Sequence, residues 1–194
     1  MIVVKNKKAF RIISISLVAV LIAVGLLIFL GNGKGELLAE GEAARRPEGV
    51  PADGLVYVDT DAMVALAGEL SGTAESKAAA KAAFDQINAE RASKGLGALK
   101  WSDGLETASA VRAVECSSVW SHNRPDGTEY WTVNSNLVYG ENLAKGFSSA
   151  GDAFVAWKNS PTHYDNIIFP DFKTAAIAIH IIGNQWYWAN EFGY

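Results

Sequence analysis

The chain has 194 residues and a formal charge of −4, with a pI of about 5.4, which leaves room for one targeting segment, a spacer and one domain of ordinary size. That balance provides no basic patch and argues against nucleic acid as a partner. A single cysteine, Cys116, excludes an intramolecular disulfide framework.

Residues 1–11 carry Lys5, Lys7, Lys8 and Arg11, and Ile12 to Leu30 is then free of charge. As a helix this run spans roughly 28 Å, the thickness of a bilayer core. The basic flank should stay cytoplasmic, which sends the C-terminal part of the chain outside. Two alternatives stay open, an uncleaved signal-anchor and a cleaved signal peptide, with Gly31-Asn32-Gly33 a poor match to a cleavage site. Residues 32–72 turn to Gly, Ala, Glu and Pro and read as an extracellular linker. Within it, Leu55–Val58 and Met63–Leu70 have strand or helix character.

The domain proper is expected over residues 73–194. Thr73 can cap a helix whose Ala80, Phe84 and Ile87 share a face, ending at Gly95 and Gly97. Leu99 and Trp101 should fold back onto it. A second helix runs from about Ser102 to Val119, buries Cys116 as a small hydrophobe, and places Arg112 and Glu115 as an ion pair. Asn123 to Asn136 reads as a turn and loop around Pro125-Asp126-Gly127. A third helix from about Ser148 must stop near Ser160, because Pro161 comes next. Ser160-Pro161 then opens a short helix with His163 in its first turn. Ala175 to Phe192 forms a hairpin about Gly183-Asn184, with Ile179 opposite Trp188, Ile181 opposite Trp186 and His180 opposite Tyr187. The proportion predicts an α+β fold, helices and hairpin sandwiched about a small, mostly antiparallel sheet, preceded by an N-terminal membrane helix.

Two residues are poorly suited to ordinary packing, His122 after an apolar run and Glu141 between Gly140 and Asn142, and His163 in S-P-T-H-Y-D-N is the third element that would complete a His/Glu/His site. Together they make a candidate site assembled by folding. The end of the second helix favours a charged His122, and the start of a helix favours a neutral His163. Two histidines and a carboxylate can exchange protons or hold a metal with an open position, zinc or calcium being the candidate ions. A polar cleft without metal fits the same residues, as do histidines that merely satisfy loop backbone. Ser121 beside His122 lacks any G-x-S-x-G context, and there is no H-E-x-x-H and no phosphate loop.

The ordered series I-N-A-E-R (87–91), G-L-G-A-L-K-W (95–101), R-A-V-E (112–115), S-H-N-R-P-D-G (121–127), Y-G-E-N-L-A (139–144), A-W-K-N-S-P-T-H-Y-D-N-I (156–167) and Y-W-A-N-E-F-G (187–193) resembles the bacterial branch of the CAP superfamily. That superfamily includes cysteine-rich secretory proteins, antigen 5 and plant pathogenesis-related proteins. The resemblance implies a three-layer α-β-α sandwich, secretion, and a cleft lined by His and Glu. On it, His122 matches the first cleft histidine, Glu141 the Glu of the G-E-N motif, and His163 the histidine of the bacterial S-P-x-H motif. The second glutamate of the eukaryotic branch is replaced by Ser160, its second histidine has no counterpart, and its disulfides are absent.

These residues support two functional expectations. The first is a membrane-tethered or secreted extracellular domain that binds a cell-envelope ligand, lipid or partner protein and is not an enzyme. The second is a metal-dependent or acid/base hydrolase of peptides or envelope polymers, with His122, Glu141 and His163 as catalytic and metal-ligating residues.

Overall fold

The computed structural model describes residues 35–37, 44–46 and 72–194. All belong to one unit, Lys34–Tyr194. The expected membrane helix, Ile12 to Leu30, and the Leu55–Val58 and Met63–Leu70 runs lie outside the described residues. Among the described residues no helix is long and apolar enough to cross a membrane.

Helix α1, Ala74–Ser93, starts at Thr73, whose hydroxyl accepts from the Ser76 N–H, and buries Ala80, Ala83, Phe84 and Ile87 on one face. It ends where Gly95 takes φ +72, a left-handed conformation that L side chains resist. The return strand β3, Lys100–Trp101, sets the Trp101 ring edge-on to Phe84 at 5.0 Å between centroids. Helix α2, Asp103–Ser118, is capped by Ser102. After a 3-10 turn, Tyr130–Val133, comes strand β4, Gly140–Lys145. Helices α3, Ala150–Asn159, and α4, Pro161–Ile167, meet at Ser160 with Pro161 in the first turn of α4. Strands β5, Thr174–Ile182, and β6, Gln185–Gly193, close the chain.

The β5–β6 hairpin turns at Gly183-Asn184 in the expected register, with Ile179 opposite Trp188, His180 opposite Tyr187 and Ile181 opposite Trp186. Strand β4 joins the free side of β6, antiparallel, and β3 joins β5 as the one parallel pair. Two short strands complete the sheet on the outer edge of β4. These are β1, Glu36–Leu37, and β2, Ala44–Arg45; β1 pairs with Ala144 and Lys145, and β2 with Gly140 and Glu141. Part of the stretch expected to be linker is therefore sheet. Arg45 donates to Asn166 Oδ1 at 3.2 Å and stacks over the Phe169 ring, and the buried Arg46 donates to the Ser135 carbonyl at 2.8 Å.

Because successive strand residues face opposite sides, the sheet has two cores. Ile177, Ile179, Trp188, Ala144 and Phe192 pack with α1, α3 and α4 in the larger one. There Trp157 and Trp188 meet edge to face at 6.2 Å, and both indoles donate to carbonyls, of Leu143 and Phe147. Leu143, Tyr187 and Ala189 pack with Ala113 and Cys116 of α2 on the other face. The layers are α2, sheet, and α1/α3/α4, an α-β-α sandwich with a mostly antiparallel sheet. Arg91 at the end of α1 fastens the larger layer. It is buried and donates to the carbonyls of Gly97, Ile167, Phe169 and Phe172 at 2.8–3.3 Å.

Candidate functional site

Glu141 stands on β4 with its side chain towards α2, since it shares a face with Leu143. It has no solvent exposure, and Arg112 reaches it from α2 as a fork, Nε to Oε2 at 2.7 Å and Nη2 to Oε1 at 3.3 Å. His122 Nδ1 lies 2.7 Å from Oε1. Both carboxylate oxygens are thus engaged by cationic or hydrogen-bonding groups. Burial alone pushes the Glu141 carboxyl up. The Arg112 charge and the hydrogen bonds from His122 and Arg112 outweigh that and hold it below the usual carboxylate range.

Arg112 is itself fully buried. Besides Glu141 it donates to Glu115 Oε2 at 2.6 Å and to the carbonyls of Ser121 and His122 at 2.8 and 3.2 Å. Those carbonyls belong to the segment that carries His122, so the guanidinium sets the position of the histidine backbone as well as the carboxylate. The expected Arg112–Glu115 pair is present, and Arg124 extends it by donating to Glu115 Oε1 at 2.7 Å. The His122 ring meets Tyr130 edge-on at 6.2 Å, and the side chain keeps 15% exposure. It reaches solvent to the same extent as Glu115 and Arg124.

Directly across the strands from Glu141 lies a second buried carboxyl, Glu191. The alternation of the ladder makes this a non-hydrogen-bonded pair position, where opposed side chains come closest. Neither Glu191 oxygen has a donor among the described residues. Burial first, and then the charge of Glu141, raise its carboxyl well above the ordinary range. A proton retained on Glu191 removes the clash and supplies a donor towards Glu141. With Glu191 neutral, the guanidiniums of Arg112 and Arg124 balance the carboxylates of Glu115 and Glu141, and a protonated His122 is the one charge in excess.

His163 belongs to the other layer. Asn142, next to Glu141 but facing the opposite side, donates to the His163 carbonyl at 2.9 Å, and Asn166 donates to the Glu141 carbonyl at 3.3 Å. The His163 ring is fully buried, with Nδ1 2.7 Å from Ser160 Oγ and Nε2 without a partner among the described residues. Its pKa is lowered to about 4, by burial first and then by the positive charge of His122. The expected neutral His163 is what the structure gives, although burial rather than the helix terminus is the main cause. No described hydrogen bond joins His163 to His122 or Glu141. The structure therefore pairs two of the three expected residues directly and leaves the third linked to them through β4.

Among the described residues no three His, Cys, Asp or Glu side chains are disposed to hold one ion. Glu141 gives both oxygens to Arg112 and His122, so a three-ligand centre built on it does not fit. Cys116 is buried beside this network with its thiol pushed up by desolvation, which makes it inert packing. The arrangement contains one ionised and one protonated carboxyl, a fixed guanidinium and a partly open histidine. It can hold a rigid, charge-balanced face around His122.

Sequence reasoning missed Glu191 and the reach of Arg112. The signal for Glu191 was Asn190-Glu191 interrupting an otherwise apolar strand. Arg112 carried none beyond its neighbour Glu115, because its partner lies 29 residues away.

A family model described as "CAP: Cysteine-rich secretory protein family" matches residues 84–192. No curated protein matches the chain. Among solved structures, an outer surface protein from Borrelia burgdorferi is 21% identical, with TM-score 0.51, over 57% of this chain and 87% of that one. An extracellular protein containing an SCP domain from Bacillus anthracis is 19% identical, TM-score 0.53, over 61% of this chain and 41% of that one. A cysteine-rich secretory protein from Staphylococcus aureus is 16% identical, TM-score 0.51, over 63% and 41%. The chain thus spans less than half the length of the latter two. At these identities the likeness is one of fold.

Proposed function

The chain belongs to the cysteine-rich secretory protein (CAP) family, and from that premise we propose that it is a membrane-tethered or secreted extracellular module that binds a cell-envelope ligand, lipid or partner protein without turning it over. One observation carries this reading. Of the three groups that acid/base hydrolysis would use, Glu141 and His163 have no solvent exposure and both Glu141 oxygens are already engaged, which leaves only His122 with access to solvent. A general base must come within hydrogen-bond reach of substrate, whereas a rigid face around the partly open His122 needs only shape and charge to bind. The basic flank and apolar run at the N-terminus support an extracellular placement, as do the outer-surface and extracellular descriptions of the Borrelia and Bacillus proteins.

A hydrolase of peptides or envelope polymers is favoured by one feature, the neighbouring carboxyls Glu141 and Glu191 held in opposite protonation states, a pattern of acid/base pairs in enzymes. Co-sedimentation of the full chain with purified cell-wall sacculi and with anionic lipid vesicles, with released product measured in the same tubes, separates the two. Retention without product, weakened in His122→Ala, supports a binding module. Product formation that disappears in Glu141→Gln while the far-UV spectrum is unchanged refutes it. Zinc and calcium calorimetry on the same protein, with His122→Ala and His163→Ala beside it, tests whether the two histidines share an ion.

A further inference from the structure

Strand β5 is covered on its outer side by the two-residue strand β3 alone among the described residues, which leaves most of that edge open to them. β3 pairs with β5 at two positions only, Lys100 with Thr174 and Trp101 with Ala175, before the chain leaves into α2. The carbonyls of Lys173 and Ala175 accept from the N–H groups of Lys100 and Ser102. Odd-numbered residues of β5 therefore turn their backbone groups outward, while even-numbered ones bond to β6. Beyond Ala175 the outward residues are Ile177, Ile179 and Ile181, which face no neighbouring strand among the described residues. An apolar edge of this kind is a template for strand addition unless something covers it.

A groove of about 180 Å³ runs along this edge. Its floor is Ile177 to His180. Helix α1 supplies one wall through Lys77 and Lys81, α2 supplies the other through Ala110 and Val114, and Trp101 stands where β3 stops. Lys77 is exposed and makes no ion pair or hydrogen bond through its side chain among the described residues. Lys81 pairs with Asp85 across one exposed turn, an interaction worth little, and its ammonium lies 4.8 Å from the centroid of the Phe84 ring. One wall is thus basic, and the other is small and apolar apart from Glu106, whose carboxylate accepts from Trp101 Nε1 at 2.8 Å at the end where β3 stops.

We propose that this groove docks an extended segment of a partner protein, which adds a strand beside Ile177–Ile181 with acidic side chains towards Lys77 and Lys81 and small apolar side chains towards Ala110 and Val114. The period of a strand sends alternate residues to the two walls, so the walls specify an alternating acidic and apolar sequence. Four steps of about 3.3 Å bring the partner over the three free pairs of backbone groups in roughly 13 Å. The main-chain bonds supply attachment, and the lysines supply sign and register. The groove lies on the opposite edge of the sheet from β4, so docking there is independent of the function proposed for the Glu141 network.

The test is amide hydrogen exchange by NMR on the ¹⁵N-labelled full chain, with the probe peptide acetyl-Val-Asp-Val-Asp-Val-amide and its Lys-for-Asp counterpart as control. The acidic peptide should slow exchange at Ile177, Ile179 and Ile181 at least tenfold and leave Ala178 and His180, already bonded to β6, unchanged. Reversing charge in Lys77→Glu/Lys81→Glu, both exposed, should raise the peptide concentration required at least tenfold, with an unchanged far-UV spectrum showing that the Phe84 contact of Lys81 is not needed for folding. No slowing at millimolar peptide, or equal slowing by the basic control, overturns the proposal. So does slow exchange without peptide: if independent of protein concentration, another part of this chain covers the edge, and if it grows with concentration, a second copy does.

Discussion

Replacing Glu191 with Gln should stabilise the protein at neutral pH even though Glu191 is completely buried. Burial and the Glu141 charge keep its carboxyl protonated well above the range in which an unfolded chain releases that proton. A pKa raised on folding contributes stability that is complete below the unfolded value, about 4.3, and is lost as pH rises towards the folded value. In that window the folded protein binds one more proton than the unfolded chain, so stability falls by about 1.4 kcal/mol per pH unit. Above pH 5 that loss continues for as long as Glu191 holds its proton. A glutamine has the shape of the protonated acid and does not titrate. The stability difference between Glu191→Gln and wild type should therefore be small at about pH 5 and grow in favour of the variant as pH rises, by about 1.4 kcal/mol for each pH unit over which Glu191 holds its proton. Urea unfolding followed by tryptophan fluorescence at a series of pH values gives both curves. Taking the difference removes the opposing contribution of His163. A difference flat with pH, or one that shrinks as pH rises, would refute a protonated Glu191 facing an ionised Glu141.

Glu141→Gln should have the opposite sign. It removes the fully buried carboxylate facing the Arg112 guanidinium and leaves Glu115 as its remaining charge partner, and should cost up to about 3–5 kcal/mol at neutral pH by the same unfolding assay; a loss below about 1 kcal/mol would show that Arg112 is not held by the Glu141 charge. His163, lowered to about 4 from 6.5, contributes stability that is complete above pH 6.5 and lost as pH falls towards 4. His163→Gln should flatten that acid limb by about 3 kcal/mol, read as the variant-minus-wild-type difference across the same window. Arg91→Ala leaves the carbonyls of Gly97, Ile167, Phe169 and Phe172 without their donor and should lower unfolding free energy by about 3–5 kcal/mol. Arg91→Lys should recover only part of it, because an ammonium cannot span that fork.

The elements are legible in the sequence where one local signal decides them. Thr73, Ser102 and Gly183 each act within three or four residues, and the two-residue turn at Gly183-Asn184, with Gly183 at φ +58, sets the pairing of the whole hairpin. Strand β4 is harder to read, because Gly140–Lys145 is buried on both faces and shows no alternation of apolar and polar residues. The site is legible as residue types and only partly as geometry. His122 and Glu141 do meet. His163 joins them in a sequence reading because sequence cannot say that Glu141 and Asn142, adjacent on one strand, serve opposite layers. The short strands β1 and β2 read as spacer, since two-residue pairings leave no periodicity at all. Their neighbouring arginines, Arg45 and Arg46, acquire partners only after folding.

Adjacent residues of β4 that serve opposite layers make the strand intolerant of insertion and deletion. Glu141 completes the Arg112 network on one side, while Asn142 takes the His163 carbonyl on the other. A one-residue frame slip would carry each side chain to the wrong layer. It would set an amide under the guanidinium and a carboxylate against α4, so both networks would fail in one event although no residue had been substituted. Length variation between descendants of this gene should accordingly collect in the loop between Asn123 and Asn136, and spare the six residues from Gly140 to Lys145.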